Sequence, residues 1–333
     1  MTTRAQNPPP LRWAIVGTGG IATAFADDLR LSDAGELVAV GSRSAARAEA
    51  FAARTSAPRA HSDQAELLAA DDVDAVYVAV PHSAHHAVAL AAIEAGKAVL
   101  VEKPFTINRG QAEELVKAAR SRGVFLMEAM WTRFLPHMVR VRELLAQGRL
   151  GDVRLVTAEH GAWFRHDPEH RMFDPHLGGG ALLDLGVYPL SFMSMVLGAP
   201  ASVLAATQFG DTGVDGQTAV VLGYEQGRQA VATSSMQAFL PNRASIAGTD
   251  GRIDIDATWY RPTSFTLTER TGAVERYEFP VPGNGLRYQT EEVARCLREG
   301  LLESPVLPLA ESCEIMGTMD AARTQVGLRY PEE

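Results

Sequence analysis

The chain has 333 residues, of which 46% are hydrophobic and 21% charged, and its formal net charge is −9. This length exceeds what one compact core usually holds, so two domains are expected. The acidic balance leaves no basic excess to neutralise phosphates and argues against nucleic acid as a partner.

Residues 1–10 are polar and end in Pro8-Pro9-Pro10, without the apolar core of a secretory signal, so a disordered tail is expected there. No run reaches the roughly 18 uninterrupted apolar residues of a membrane span. The two cysteines, Cys296 and Cys313, suit a reducing compartment in a chain this long. A cytoplasmic protein without membrane partners is the expectation.

Residues 11–17 form a short apolar run ending in glycine, a first strand, and 21–31 carry apolar residues at helical spacing. A buried strand is predicted over 36–42, an alanine-rich helix over 45–54, and a strand over 75–80 stopped by Pro81. A helix over 85–95 closes at Gly96, followed by a strand over 97–101, a helix over 108–123 and a strand over 124–127. Strands alternating with helices of this length argue for βαβ units and a parallel sheet. After residue 130 the rhythm changes. Strands are predicted over 153–160, 203–209, 218–224, 229–237, 244–248, 251–256, 264–268 and 274–279, with few helices between them. That succession suggests an open, largely antiparallel sheet. Helices over 288–299 and 309–325 finish the chain. The expected fold class is α/β: a doubly wound parallel sheet over 11–130, then an α+β domain with a large open sheet over 131–333. The last helices of that second domain are free to pack back on the first.

Gly17-x-Gly19-x-x-Ala22 stands between the first strand and the first helix. In that position Gly17 permits a tight turn, Gly19 lets the backbone approach a pyrophosphate, and Ala22 permits close helix–strand packing. The helix amides from Gly20 and Ile21 then face the phosphates. A P-loop would need Gly-Lys-Ser/Thr, which is absent. The second strand ends in Gly41-Ser42-Arg43-Ser44, with no carboxylate to bind a ribose 2′-hydroxyl. Arg43 offers a planar fork for a phosphate monoester and Ser42 adds a hydroxyl donor, which favours NADP over NAD.

Glu102-Lys103-Pro104 follows the strand over 97–101. A lysine at the C-terminal edge of a strand in an open α/β sheet points toward the usual ligand crevice. Its ammonium is suited to donate to a substrate hydroxyl or to lower the pKa of a neighbouring acid. The alternative is a surface ion pair with Glu102, worth little. Downstream, Gly178-Gly179-Gly180 opens an apolar stretch patterned as a buried helix that carries Asp184 and Tyr188. Four residues apart on a helix, these two share a face. Both need partners in apolar surroundings, which an active-site crevice would supply; a helix cap and a core tyrosine are the alternative. Pro81 and His82, with His85, lie past a strand end, where they are expected beside the nicotinamide, and His85 and His86 open the next helix. No cysteine or carboxylate set near these histidines has zinc-site spacing, so no metal is expected. Trp131 and Arg133 fall at the domain junction, where they are expected to line the pocket for cofactor and substrate or to pack between the domains. The loop over 163–176, with Phe164, Arg165 and Arg171, is expected to shape the substrate pocket, Phe164 as a contact.

Taken together these motifs resemble the glucose–fructose oxidoreductase / inositol dehydrogenase (Gfo/Idh/MocA) family, nearest to its dihydrodiol dehydrogenase-like branch. Four stretches carry the resemblance: 102–104, 127–134, 178–188 and 303–309. It implies an N-terminal Rossmann domain, a substrate-binding and oligomerisation domain with a large open sheet, and a homodimer or homotetramer paired through that sheet. It implies NAD(P)-dependent hydride transfer to or from a sugar, polyol or cyclic diol. Lys103 inherits the role of the family's active-site lysine, with Glu102 beside the cofactor. Where many members carry a histidine on the later helix, this chain has Tyr188, as the dihydrodiol branch does, which points to tyrosine as the proton-transfer residue. Lys103 is expected to lower the Tyr188 pKa and Asp184 to hold Lys103 or a substrate hydroxyl. A non-catalytic NADP-binding regulator and an NAD-dependent glycosidase resembling the same family are the alternatives. The joint presence of Lys103, Asp184 and Tyr188 weighs against the first, and Arg43 against the second.

Overall fold

A computed structural model of the chain describes residues 9–331 and 333. Of the expected tail, residues 1–8 lie outside the described residues, and Pro9 and Pro10 are exposed and irregular. The first half is built from β1 (Leu11–Val16), α1 (Gly20–Leu29), β2 (Gly35–Gly41), α2 (Ala45–Thr55), β3 (Arg59–His61), α3 (Gln64–Leu68), β4 (Ala75–Val78), α4 (His85–Glu94), β5 (Ala98–Glu102), α5 (Arg109–Arg122) and β6 (Leu126–Ala129). Their strands form one parallel sheet in the order β3-β2-β1-β4-β5-β6. This is the doubly wound order in which a ligand crevice opens beside β1 and β4, where the chain's direction across the sheet reverses. Every residue of β4 and β5 is buried, as expected for central strands covered on both faces. The helices start and stop by local chemistry. Asn108 accepts the Gln111 amide at 2.9 Å at the head of α5, and Gly123 closes it with φ 62°.

The second half contains α6 (Pro136–Ala146), β7 (Val153–Gly161), a π-helical turn (Leu182–Gly186) running into α7 (Val187–Leu197), the strands β8 (Ser202–Phe209), β9 (Asp215–Gly223), β10 (Gln229–Ser235), β11 (Ala244–Gly248), β12 (Gly251–Ile255), β13 (Phe265–Glu269) and β14 (Val274–Tyr277), and the helices α8 (Arg287–Arg298) and α9 (Leu309–Val326). The eight strands form one sheet in the order β14-β13-β12-β11-β7-β10-β9-β8. All pairs are antiparallel except β7 with β10, because α7 and the β8–β9 hairpin intervene between them. Helix α7 packs on β7 and β10, and α9 on β8. The opposite face carries a row of apolar side chains in register: Leu204 pairs with Val221, and Val221 with Val231. The segment Pro175–Leu197 is long and apolar enough to pass for a membrane span, but 83% of its most apolar window is buried in the protein's own core.

Several elements differ from expectation. The three-residue β3 and the five-residue α3 are too short to show a period, and α3 is set by the Asp63 cap on the Ala65 amide. Helix α6, not among the expected elements, begins with Pro136 at its first turn, a favourable start. The strand expected over 124–127 lies two residues later, as β6. The last helices pack back on the first sheet: α9 contacts α5 and β6, and buried Asp28 of α1 accepts the Leu286 amide at 2.7 Å.

One buried acid joins these layers. Glu128 of β6 accepts the Phe105 amide at 3.1 Å and the Ser312 hydroxyl at 2.7 Å, so it ties the segment after Lys103 to α9. Burial pushes its carboxyl up to about 7 against the pull of Ser312 and Arg133. The folded protein therefore holds a proton here that the unfolded chain has lost, and stability falls as pH rises from the ordinary carboxyl range through about 7. Glu128→Gln is expected to remove on the order of 2 kcal/mol of that fall, read as a smaller drop in unfolding midpoint between acidic and mildly alkaline buffer. A pH dependence identical to that of wild type would contradict this.

Candidate active site

A cavity of about 800 Å³ runs from the C-terminal ends of the first three central strands to the glycine turn of the second half. That volume is ordinary for a ligand pocket. At one end, Gly17 adopts φ +118°, and a Cβ there would lie 2.1 Å from the Ala79 carbonyl oxygen, so only glycine fits between β1 and β4. Nothing stands within 4 Å of where a Cβ on Gly19 or Gly20 would be, so the amides at the head of α1 face open space. Their donors have no side-chain cap, which leaves them for an anionic ligand. Ile21, Ser42, Arg43 and Pro81 line the same cavity. So do Arg47, one turn into α2, with Ser62 and Gln64 beyond β3, which the sequence did not single out. Among the described residues, the guanidinium groups of Arg43 and Arg47 make no hydrogen bond or ion pair. A glycine cradle, open amides and two unpaired arginines near the end of β2 fit a dinucleotide with a 2′-phosphate. Ala22 does not line the cavity. It is fully buried and seats α1 against the sheet.

At the other end, β5 delivers Glu102 and Lys103, and the Lys103–Pro104 peptide is cis. Lys103 Nζ donates to the Asp184 carbonyl at 2.9 Å and to its carboxylate Oδ1 at 3.0 Å. Both acceptors belong to one residue because the π-helical turn presents the backbone carbonyl and the side chain of Asp184 to the same point. The Asp184 carboxylate also meets His82 Nε2 at 3.3 Å and Arg171 at 3.2 Å. His82 is held from its other nitrogen, 2.8 Å from the Gly178 carbonyl. Burial opposes the charges of Asp184 and Lys103, but their mutual attraction prevails. Asp184 lies well below the usual carboxylate range, and Lys103 lies above the usual ammonium value with further help from Tyr188 and Glu102. Glu102 is buried, bonded by the Tyr77 hydroxyl and the Lys103 amide, and burial pushes it up to about 7.

Tyr188 stands over this pair, with Lys103 Nζ 4.8 Å from its ring centroid. Its hydroxyl accepts from Trp131 Nε1 at 2.9 Å. His160 and Tyr260 pack against its ring, with centroids 4.9 and 5.2 Å away. Lys103 pulls the Tyr188 pKa down as expected, but the net shift is upward. Burial raises the phenol above its ordinary value by more than Lys103 lowers it. The phenol is therefore protonated at neutral pH.

Other expectations are corrected by packing. His85 lines the cavity as expected, but its two ring nitrogens lie against the carbonyls of Pro104 and Val80, so there it braces the lysine turn. His86 pairs with Glu114 at 2.9 Å, so the three histidines go to different partners. Trp131 sits behind Tyr188 and does not line the cavity. Arg133 points away from it, binding Ser191 on α7 and Glu311 on α9 at 2.6 Å. Phe164 joins a small apolar cluster with Met172, Phe173 and Leu185 and also stays outside the lining. Arg171, by contrast, does line the cavity and is the exposed partner of Asp184, 47% accessible against 6%.

A doubly wound domain with an open glycine turn, and a lysine, an acid and a tyrosine gathered at the far end of the same cleft, define a nicotinamide-dependent oxidoreductase of two domains. Residues 11–130 match the family described as oxidoreductase, NAD-binding Rossmann fold, GFO_IDH_MocA, and residues 138–254 match the GFO/IDH/MocA C-terminal domain. The chain belongs to the Gfo/Idh/MocA family. It is 40% identical to the trans-1,2-dihydrobenzene-1,2-diol dehydrogenase of Mus musculus, across 97% of this chain and 99% of that one. It is 37% identical to the D-xylose 1-dehydrogenase (NADP(+)) of Hypocrea jecorina, across 98% and 94%. Among solved structures, KijD10, a 3-ketoreductase from Actinomadura kijaniata in complex with NADP and TDP-benzene, superposes with TM-score 0.82 at 30% identity, over 95% of this chain and 97% of that one. The aldose–aldose oxidoreductase of Caulobacter crescentus, complexed with glycerol, superposes with TM-score 0.85 at 26% identity, over 95% and 98%.

The two arginines give a direct test. Arg43→Ala and Arg47→Ala are each expected to weaken binding of NADP roughly tenfold or more, as loss of a charge-assisted hydrogen bond to a phosphate would, with NAD binding unchanged in calorimetric titration. Equal losses for both dinucleotides would show that neither guanidinium meets the 2′-phosphate.

Proposed function

We propose that the protein is an NADP-dependent dehydrogenase/reductase that passes a hydride between the nicotinamide and the CH–OH carbon of a sugar, polyol or cyclic diol, or the matching carbonyl. The observation that carries this is the convergence of Lys103 on the backbone carbonyl and one carboxylate oxygen of Asp184 beneath the Tyr188 ring, at the far end of a cleft that begins at the glycine turn. The names of the relatives support the substrate class, since they act on a benzene dihydrodiol, xylose and aldoses. The NADP preference is supported by Arg43 and Arg47, and by the xylose enzyme and the ketoreductase complex.

A bound nicotinamide supplies or accepts the hydride. The chain's own residues handle the oxygen. Lys103 carries a fixed positive charge, so it polarises a carbonyl oxygen in reduction and steadies an alkoxide in oxidation. Tyr188 holds its proton at neutral pH and is ready to give it to the oxygen that gains charge as the carbonyl is reduced. The resulting phenolate is stabilised by Lys103 and Trp131 until water returns the proton. Oxidation runs these transfers backwards and begins with Tyr188 deprotonated, so it gains more from alkaline conditions than reduction does.

The finer assembly is also proposed. The uncovered face of the eight-stranded sheet, with Leu204, Val221 and Val231 in register and Leu204 66% exposed, supports pairing of two copies through this sheet. The free, buried thiols of Cys296 and Cys313 support residence in the cytoplasm.

Lys103→Ala and Tyr188→Phe are each expected to lower kcat about 100-fold or more, within the range for lost general acid–base catalysis, with NADP affinity retained. Near-normal turnover in either variant removes that residue's role. In sedimentation, Leu204→Glu is expected to shift the protein toward monomer at micromolar concentration, and an unchanged sedimentation coefficient rejects the sheet as the contact.

A further inference from the structure

One buried acid outside the cleft touches the turn that carries Asp184. Asp215, the first residue of β9, is fully buried beneath the glycine turn. Its Oδ2 accepts the Leu182 amide at 2.7 Å and the Thr218 hydroxyl at 2.8 Å. Its Oδ1 has no hydrogen-bond partner among the described residues. The glycine turn is shaped around that oxygen: a Cβ on Gly180 would lie 2.2 Å from it. Leu182 is the first residue of the π-helical turn, and the residue before it provides no side-chain cap. A helix start normally finds its acceptor in its own capping residue. Here the acceptor reaches in from a strand of the sheet, and burial pushes its carboxyl up to about 7 against the pull of the Thr218 hydroxyl and the Leu182 amide. From the other side, the Tyr330 hydroxyl donates to the Gly179 carbonyl at 2.9 Å, pinning the same turn.

An unpaired oxygen on a buried carboxylate is costly, and neither apolar packing nor the cleft chemistry accounts for it. What the carboxylate does achieve is to fix the Leu182 amide two residues before Asp184. We propose that Asp215 is a positioning residue for the Lys103–Asp184 pair: it locks the π-helical turn in the register that aims the backbone carbonyl and the carboxylate of Asp184 at Lys103 Nζ. This deepens the function proposed above and rests on it for the kinetic consequence, but not for the structural one.

The test uses a readout that needs no substrate. The chain has three lysines, Lys97, Lys103 and Lys117. Reductive methylation with formaldehyde and cyanoborohydride, followed by peptide mass spectrometry, gives the rate at each of them. Only the neutral amine reacts, so a lysine held charged by Asp184 is slow, and its rate rises about tenfold for each unit its pKa falls. Lys97, bound to the Ala70 and Val73 carbonyls in the first half of the chain, reports general loosening. In Asp215→Ala, Lys103 is expected to react about tenfold faster than in wild type, while Lys97 and Lys117 are unchanged. Asp215→Asn, whose amide oxygen takes over the Leu182 bond, is expected to restore the slow rate, and Asp184→Ala sets the fast limit. Asp215→Ser, too short to reach the amide, serves as a second variant should the alanine protein not fold. In turnover, Asp215→Ala is expected to lower kcat about tenfold with NADP affinity kept, and Asp215→Asn to recover it. An unchanged Lys103 rate in the alanine or serine protein, a parallel rise at all three lysines, or an asparagine variant as fast as alanine would each overturn the proposal. Should Lys103→Ala retain turnover, the catalytic role of Lys103 fails while the labelling result stands, so the two claims are judged separately.

Discussion

The ion pair between Lys103 and Asp184 is the constraint on which the rest of the site depends. Two charges taken out of water are expensive unless their geometry is good and their remaining valences are met. Here the ammonium reaches two oxygens of one residue, and the carboxylate is met by His82 and Arg171 as well. The two partners are 81 residues apart in sequence and arise from the two halves of the chain. Their meeting therefore fixes how the strand ends of the first sheet face the helix of the second half.

Much of the surrounding structure serves that meeting. His85 and Glu128 brace the segment that follows Lys103 from two sides, through the Pro104 carbonyl and the Phe105 amide. The glycine turn and the π-helical turn bring Asp184 in from above, and Arg133 ties α7, which continues that turn, to α9. Trp131 holds the Tyr188 hydroxyl so that the ring covers the ammonium. Buried polar groups of this kind are high-stakes: fully bonded they make one arrangement rigid, and a missing partner leaves an exposed cost.

The sequence made the alternating first half legible because buried parallel strands are short apolar runs bounded by Gly and Pro, as at Ala75–Val78 before Pro81. It also made Lys103, Asp184 and Tyr188 legible, since a charge at a strand edge and a polar pair on an apolar helix both demand explanation. It did not reveal direction. Trp131, Arg133 and Phe164 look alike as pocket walls and as packing, and only the fold turns Arg133 toward Glu311 and Phe164 into its own cluster. Arg47 was missed for the opposite reason. An arginine in an alanine-rich helix carries no local signal, and it gains meaning only when α2 brings it beside Arg43 at the cavity. The sign of the Tyr188 shift is likewise beyond the sequence, because it depends on how far burial outweighs the Lys103 charge.

The most direct measurement is a crystal structure of the protein with NADP and an unreactive substrate analogue. The analogue's oxygen is expected within hydrogen-bond reach, about 3 Å, of both Lys103 Nζ and the Tyr188 hydroxyl, and its reacting carbon about 3.5 Å from nicotinamide C4. A dinucleotide bound with its nicotinamide away from Lys103, or an analogue whose oxygen touches neither group, would contradict this.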